Sequence, residues 1–120
     1  MNHNIKGTGL DITPELRAYV EKKLEQPSKL LQRDPSAHVD VELEFAHGER
    51  DKKYRAEFTL AGHAALYRAD ARGYTMHEAI DLAVDALVRE LTRAKKKRLA
   101  RLRHGAGRIK DFIRGFRDSF

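Results

Sequence analysis

The chain has 120 residues, of which 41% are hydrophobic and 35% charged, and its formal net charge is +6. This length supports one hydrophobic core of modest size and is too short for two. The sequence contains no cysteine, which excludes disulfide bonds and thiolate metal sites and is typical of a reducing compartment. It shows no apolar run typical of a signal peptide or a membrane span. We therefore expect one soluble, cytoplasmic domain.

The charge is concentrated towards one end of the chain. Residues 89–120 hold twelve Lys and Arg against three acids, whereas residues 1–88 hold twelve against fifteen. A cationic surface gains affinity for a polyanion because neutralising the phosphates releases their condensed counterions. The distribution therefore favours a nucleic-acid partner.

The first predicted elements are a short strand and a helix. The strand falls within residues 3–10, where two glycines weaken the pattern. Residues 13–15, Thr-Pro-Glu, supply an N-cap, a proline at the first helical position and an acid near the positive end of the helix dipole. Apolar residues then recur at helical spacing as far as Leu24, and Pro27 predicts a stop or kink near Glu25.

Three antiparallel strands are predicted next. Apolar and polar residues alternate over three segments, 39–45, 54–60 and 65–71. Such alternation is typical of strands that bury one face and expose the other. The exposed faces carry opposite charges at neighbouring positions. We expect ion pairs that join Glu42 or Glu44 to Arg55 or Arg68.

The last predicted helix begins at a capping box formed by Thr75 and Glu78. Apolar residues within about 120° of arc form its predicted core face. They are Met76, Ile80, Ala83, Val84, Leu87, Val88, Leu91 and Ala94. Beyond Ala94, cationic residues occupy the positions where the apolar stripe would continue. We therefore expect the helix to leave the core near Ala94.

The cationic face of this helix is the candidate binding surface. Arg89, Arg93 and Lys96 fall within about 60° of one another, and an ordinary solvated helix face is the alternative interpretation. Like charges four residues apart destabilise a helix by about 0.2 to 0.5 kcal/mol per pair. Glu90 is the only acid within residues 89–104. A cationic stripe that reduces stability indicates an anionic partner.

Two separated motifs carry a resemblance to a known family. They are GTGLDITPELRAYVEKKL near the start and RADARGYTMHEAIDLAVDALVREL in the second half. The chain resembles the ribosome hibernation promoting factor and ribosome-associated inhibitor (protein Y) family, in its short form. The resemblance implies an α+β fold, β-α-β-β-β-α, with two helices on one face of a four-stranded sheet. This fold is similar to double-stranded-RNA-binding domains.

The resemblance also implies a function and a binding site. Proteins of this family bind the small ribosomal subunit through 16S rRNA, where mRNA and tRNA would lie, and silence ribosomes in stationary phase or stress. They need no cofactor or metal, and we expect a monomer off the ribosome. The family's basic positions and the cationic segment beyond the core together give the expected RNA-binding residues. These are Lys22, Lys23, Lys29, Arg89, Arg93, Lys96, Lys97, Arg98 and Arg101.

Two alternatives of other classes remain open. One is a regulator that acts through a protein partner, such as a modulator of a transcription sigma factor. The other is an enzyme acting on RNA, for which we find no general base or metal set, because the six histidines are dispersed without metal-ligand spacing. Asp81 and Asp85 are one helical turn apart, but Asp85 is better placed to pair with Arg89. We therefore expect no enzymatic activity.

The C-terminal segment is treated as a separate region. Gly105 and Gly107 predict a break in the helix, after which apolar residues recur among cations. These residues are Ile109, Phe112, Ile113, Phe116 and Phe120. The segment is either a basic amphipathic helix that contacts rRNA or a protein, or a frayed terminus. The sequence thus predicts a ribosome-binding domain over 1–104 and a tail over 105–120.

Overall fold

The structure is a computed structural model that describes residues 1–48, 50–62 and 65–118, with side chains described in the last helix as far as Arg103. Its elements are β1 (Asn2–Thr8), α1 (Pro14–Lys23), α2 (Glu25–Leu30), β2 (His38–Phe45), β3 (Tyr54–Gly62), β4 (Ala65–Gly73) and α3 (Met76–Asp118). The order confirms the predicted α+β fold. The expected first helix, however, consists of two consecutive segments.

The first helical region begins and breaks for local reasons. The Thr13 hydroxyl accepts a hydrogen bond of 3.1 Å from the Leu16 amide, and Pro14 is the first helical residue, as predicted. The break lies at Leu24, close to the expected stop. Pro27 lies inside α2 and is buried there. A proline is tolerated in the first turn of a helix because its missing N–H would have no partner within the helix.

The four strands form one mixed sheet in the order β1-β2-β3-β4. The β1 strand is parallel to β2, which requires the crossover that α1 and α2 provide, and the other pairs are antiparallel. One row of paired residues crosses the whole sheet and is buried under the helices: Ile5, Val41, Phe58 and Ala69. The predicted alternation of the three later strands is thereby confirmed.

The long helix is fixed on the sheet at its first turn. The Thr75 hydroxyl accepts a hydrogen bond of 3.1 Å from the Glu78 amide, as the capping box predicts. Just before it, a Cβ placed on Gly73 would lie 2.7 Å from the backbone nitrogen of Ala79. Real Cβ contacts are not this short. The end of β4 and the start of α3 therefore touch backbone to backbone.

The core face of α3 is the predicted one. Met76, Ile80, Ala83, Val84, Leu87 and Leu91 are buried, and Val88 and Ala94 are partly buried. Residues 95–103 are all exposed, which confirms that the helix leaves the core near Ala94.

The predicted break at Gly105 and Gly107 is wrong, because α3 continues to Asp118. A helix-interior glycine costs only about 1 kcal/mol relative to alanine and need not end a helix. The side chains of the predicted tail lie outside the described residues. In the part of the chain that is described, no helix has the length and apolar composition to cross a membrane.

Candidate nucleic-acid interface

The exposed side of α3 carries the cationic stripe. Arg89, Arg93 and Lys96 are exposed. The Arg93 side chain, 65% exposed, forms an ion pair of 3.0 Å with Glu90. Among the described residues, Arg89 has no ion pair within 4.0 Å, so the expected pairing with Asp85 is wrong. Helical spacing brings the two residues near each other, but both side chains extend into solvent. The stripe therefore presents positive charge that the fold leaves largely uncompensated.

A second cationic surface lies on α1 and α2. Lys22 and Lys29 are exposed, whereas Lys23 is partly buried. These lysines line a groove of about 520 Å³ together with Tyr19, Glu25 and Gln26. These three lysines of the expected RNA-binding set are therefore close together, although the break at Leu24 places them on two helical segments.

The two helical surfaces meet at Asp81 of α3. The Tyr19 hydroxyl donates a hydrogen bond of 2.5 Å to Asp81 Oδ1, and Lys23 Nζ lies 3.1 Å from the same oxygen. Lys23 Nζ also lies 5.5 Å from the centroid of the Tyr19 ring. The edge of that ring packs against His77, with centroids 4.4 Å apart. Two side chains of α1, one turn apart, therefore converge on one carboxylate of α3. We call Tyr19, Lys23 and Asp81 the Asp81 bridge.

Electrostatics within the Asp81 bridge favour the charged pair. Burial opposes ionisation of Asp81, but the hydrogen bonds from Tyr19 and Lys23 outweigh it and lower the pKa of the carboxyl group. The hydrogen bond to Asp81 raises the pKa of Lys23 and, together with burial, that of Tyr19. At neutral pH the bridge therefore holds an ammonium, a carboxylate and a neutral phenol.

Arg98 lies on a different side of α3 from the stripe. It is nine residues beyond Arg89, which corresponds to a rotation of about 180° around the helix. It lines a groove of about 200 Å³ at the end of α2, with Leu30, Gln32, Lys95, Leu99 and Leu102. The structure therefore gathers Arg89, Arg93 and Lys96 on one face and places Arg98 near the opposite one. Lys97 and Arg101 are exposed between these two faces.

The face of the sheet opposite the helices carries both acids and bases, and one arginine there contacts several of the acids. Arg55 is central to this face. Its Nη2 lies 2.6 Å from Glu57 Oε2 and 3.2 Å from Asp70 Oδ2, and its Nη1 lies 3.7 Å from Glu44 Oε2. The Arg55–Glu44 pair is one of those predicted. The hydrogen bond to Glu57 is the main cause of a raised pKa at Arg55. Three acids of this face therefore share one guanidinium group within the fold.

Sequence reasoning missed the role of Asp81. Tyr19 is one of the residues at helical spacing that predict a buried stripe on the first helix, and it is only partly buried. Its partner is 62 residues away along the chain. The available signal was that Asp81 directly follows Ile80 of the predicted core stripe and has an acid, Asp85, and not a cation four residues later. That pattern does not identify a partner on another helix.

The chain matches a known family over most of its length. Residues 3–99 match the profile of the family described as "Sigma 54 modulation protein / S30EA ribosomal protein". The chain is 36% identical over 101 residues to a ribosome hibernation promoting factor from Azotobacter vinelandii, covering 84% of this chain and 89% of that protein. It is 32% identical over 97 residues to a ribosome hibernation promotion factor from Bacillus subtilis, covering 81% of this chain and 50% of that protein. The chain thus spans about half the length of the Bacillus relative.

Solved structures show the same fold. The N-terminal domain of Protein Y from Thermus thermophilus aligns with a TM-score of 0.64 and 30% identity, covering 78% of this chain and 98% of that one. A ribosomal subunit interface protein from Coxiella burnetii aligns with a TM-score of 0.62 and 23% identity, covering 80% of this chain and 99% of that one. Because residues 3–99 match the family profile, the chain belongs to the Sigma 54 modulation protein / S30EA ribosomal protein family.

Proposed function

We propose that this protein is a ribosome hibernation factor that binds the small ribosomal subunit through rRNA. Its binding site is the cleft that mRNA and tRNA otherwise occupy, and its effect is a steric block of translation in the cytoplasm under stress or in stationary phase. The ribosome-binding unit is the domain over residues 1–104, and it acts as a monomer without a cofactor. The relatives that carry the name of hibernation factors support this assignment.

The observation that carries the proposal is the unpaired cationic stripe of α3. Arg89 and Lys96 have no ion pair within 4.0 Å in the described part of the chain, and Arg93 has only Glu90. Exposed cations that lack acidic partners attract phosphates without reading a base sequence. The stripe is carried on a helix whose core face is firmly packed. It therefore presents Arg89 and Arg93 on the packed part of the helix, and Lys96 lies just beyond that part.

The mechanism requires binding and positioning but no chemical step. Guanidinium groups of Arg89 and Arg93 and the ammonium of Lys96 would contact phosphate oxygens through charge-assisted hydrogen bonds. The lysines of the α1–α2 groove extend the contact to a second helix. Bound rRNA would then hold the domain where mRNA and tRNA enter, and occupancy by one excludes the other.

An order-of-addition experiment tests this mechanism. Vacant small subunits are incubated with the protein first or with mRNA and initiator tRNA first, and complexes are separated on sucrose gradients. Steric competition predicts that prior mRNA and tRNA protect translation, whereas prior protein blocks their binding. Equal inhibition in both orders would show that the cleft is the wrong site. Failure of the protein to sediment with subunits in either order would refute ribosome binding itself.

The alternative of a regulator that acts through a protein partner has less support. Such a partner would bind the open face of the sheet or the tail. The sheet face directs Arg55 towards Glu44, Glu57 and Asp70 rather than towards a partner. The side chains of the tail lie outside the described residues.

A further inference from the structure

Packing alone gives α1 a weak hold on the rest of the domain. Val20 is the one residue of α1 that is buried, and Leu16 and Tyr19 are partly buried. A helix with so little buried apolar surface gains correspondingly little from the hydrophobic effect. Polar contacts to its neighbours therefore have a larger share in setting its position.

The Asp81 bridge is the polar contact that joins α1 to α3. Asp81 receives the hydroxyl of Tyr19 and the ammonium of Lys23 on one oxygen, at 2.5 and 3.1 Å. These two donors are four residues apart, so they fix both the rotation of α1 about its axis and its distance from α3. Lys22 is adjacent to Lys23, and Lys29 lines the same groove.

The bridge and the cationic stripe lie on the same helix. Asp81, Asp85, Arg89 and Arg93 follow one another at four-residue spacing along α3. At about 1.5 Å and about 100° per residue, Arg89 lies about 12 Å along the helix and about 80° around it from Asp81, and Arg93 lies about 18 Å along and about 120° around. The bridge therefore sets the separation between the lysines of α1 and α2 and the arginines of α3.

We propose that Asp81 is a positioning residue for RNA binding, which holds the α1–α2 lysines at a fixed distance from the α3 stripe so that both surfaces contact one RNA. This inference rests on the proposed function. Asp81 contacts no phosphate in this scheme and acts through Tyr19 and Lys23. Because the charge of Lys23 is paired with Asp81, the main contribution of Lys23 is to the bridge and not to phosphate binding.

Substitution of Asp81 separates positioning from electrostatics because the two effects have opposite signs. Asp81→Ala removes a negative charge and releases Lys23, so long-range attraction to a polyanion alone would strengthen binding. Positioning predicts weaker binding, because α1 loses its fixed place. Asp85→Ala is the matched control. It removes the same charge one turn further along α3, from an exposed side chain with no ion pair within 4.0 Å among the described residues.

The first measurement is affinity for purified small subunits at fixed salt, with folding checked by thermal unfolding. We expect Asp81→Ala to bind about five- to tenfold more weakly than the parent, as for the loss of one or two net hydrogen bonds. Asp85→Ala should bind as tightly as the parent or more tightly. If Asp81→Ala is unfolded at the assay temperature, Asp81→Asn and Tyr19→Phe replace it. Each removes one contact of the bridge and should weaken binding about two- to threefold.

The second measurement asks whether the lysines depend on the bridge. The combined change Lys22→Ala and Lys29→Ala should weaken binding clearly in the parent and much less in the Asp81→Ala background. Arg89→Ala should have the same effect in both backgrounds. A merely structural role would leave the effects of all these changes additive.

Two results would overturn the inference. One is that the Asp81→Ala protein binds small subunits as tightly as Asp85→Ala does, or that Asp81→Asn and Tyr19→Phe do so where they replace it. The other is an unchanged effect of the lysine substitutions in the Asp81→Ala background. Failure of the proposed function would look different, because the parent protein itself would then not bind small subunits.

Discussion

The cationic stripe of α3 and the open face of the sheet both carry several charges, yet they differ in how those charges are paired. On the stripe, Arg89 and Lys96 make no ion pair within 4.0 Å among the described residues. On the sheet, Arg55 alone contacts three carboxylates within that distance. A charge whose partner lies in the fold stabilises the fold, and a charge without one is available to a ligand. The number of charges on a surface therefore indicates less about binding than their pairing does.

The largest expected effect comes from removing the stripe. Changing Arg89, Arg93, Lys96 and Lys97 together to Ala should weaken binding to small subunits by at least about a thousandfold, because each charge-assisted hydrogen bond contributes about 1.5 to 3 kcal/mol. The fold should remain, because all four side chains are exposed. Sedimentation with subunits and circular dichroism measure the two outcomes.

A control with equal charge change comes from the other side of the molecule. Lys6, Lys53, Arg68 and Arg72 are exposed on or beside the sheet. Changing all four to Ala lowers the net charge by the same amount. We expect a loss of less than about tenfold from weakened long-range attraction. A loss equal to that of the stripe variant would mean that net charge, and not the stripe, determines binding.

Salt dependence sharpens the comparison. For the parent protein, the slope of log K against log[salt] should be about −4 to −6 if most of the predicted cations contact phosphate. The stripe variant should have a slope shallower by about 3, and the sheet-side variant should keep the parental slope. Titration at four or five salt concentrations gives the slopes. A parental slope near zero would remove the electrostatic basis of the proposed function.

Removing the charge of Arg55 on the sheet face should lower the stability of the fold and leave ribosome binding nearly unchanged. Arg55→Met leaves Glu44, Glu57 and Asp70 without their shared partner, so we expect the free energy of unfolding to fall by about 1 to 2 kcal/mol. Ribosome affinity should change less than about twofold. Urea unfolding provides the measurement, and Arg68→Met, at an exposed position on the same face, is the control with little expected change. Equal destabilisation by both would show that the Arg55 ion pairs contribute nothing.

The smallest expected effect is the pH dependence of the Asp81 bridge. The folded pKa of Asp81 lies below its ordinary value of 3.8, so this group stabilises the fold above that pH and the contribution is lost as the pH falls through the folded pKa. The pKa of Lys23 is raised from 10.5, so its contribution is present below that pH and is lost as the pH rises through the folded pKa.

The test compares the parent with Asp81→Asn. Their difference in unfolding free energy should be constant between about pH 5 and about pH 9 and should shrink outside that range. Because both side chains are substantially exposed, the difference should not exceed about 1 kcal/mol. A difference that grows on acidification would contradict the assigned charge states.

Much of the fold was predictable because it depends on local patterns. Alternation over residues 39–45 and 54–60 identified two strands and their buried faces, and the caps at Thr13 and Thr75 identified two helix starts. These patterns reflect interactions between residues that are close in sequence. The exact division of the first helical region at Leu24 was less accessible, because Pro27 is compatible with either side of a break.

The candidate site was predictable in composition but not in arrangement. The sequence identified the cations of α3, since their spacing along one helix fixes their relative angles. It did not show that Arg98 lines a groove with Leu30 of α2, because contacts between helices depend on tertiary packing. The Asp81 bridge was missed for the same reason: contacts between α1 and α3 depend on tertiary packing, which local periodicity does not describe.

The close contact at Gly73 fixes the first turn of α3 against the end of β4, so a shift there changes the direction of the whole helix. Any side chain there would push against the backbone nitrogen of Ala79, 2.7 Å from the Cβ position. The packed part of α3 ends near Ala94, so Lys96 lies about 30 Å along the helix from its first turn. A tilt of about 5° forced at this contact would move Lys96 by about 2.5 Å, close to the length of a hydrogen bond. The position of the distal cations therefore depends on a residue that carries no side chain.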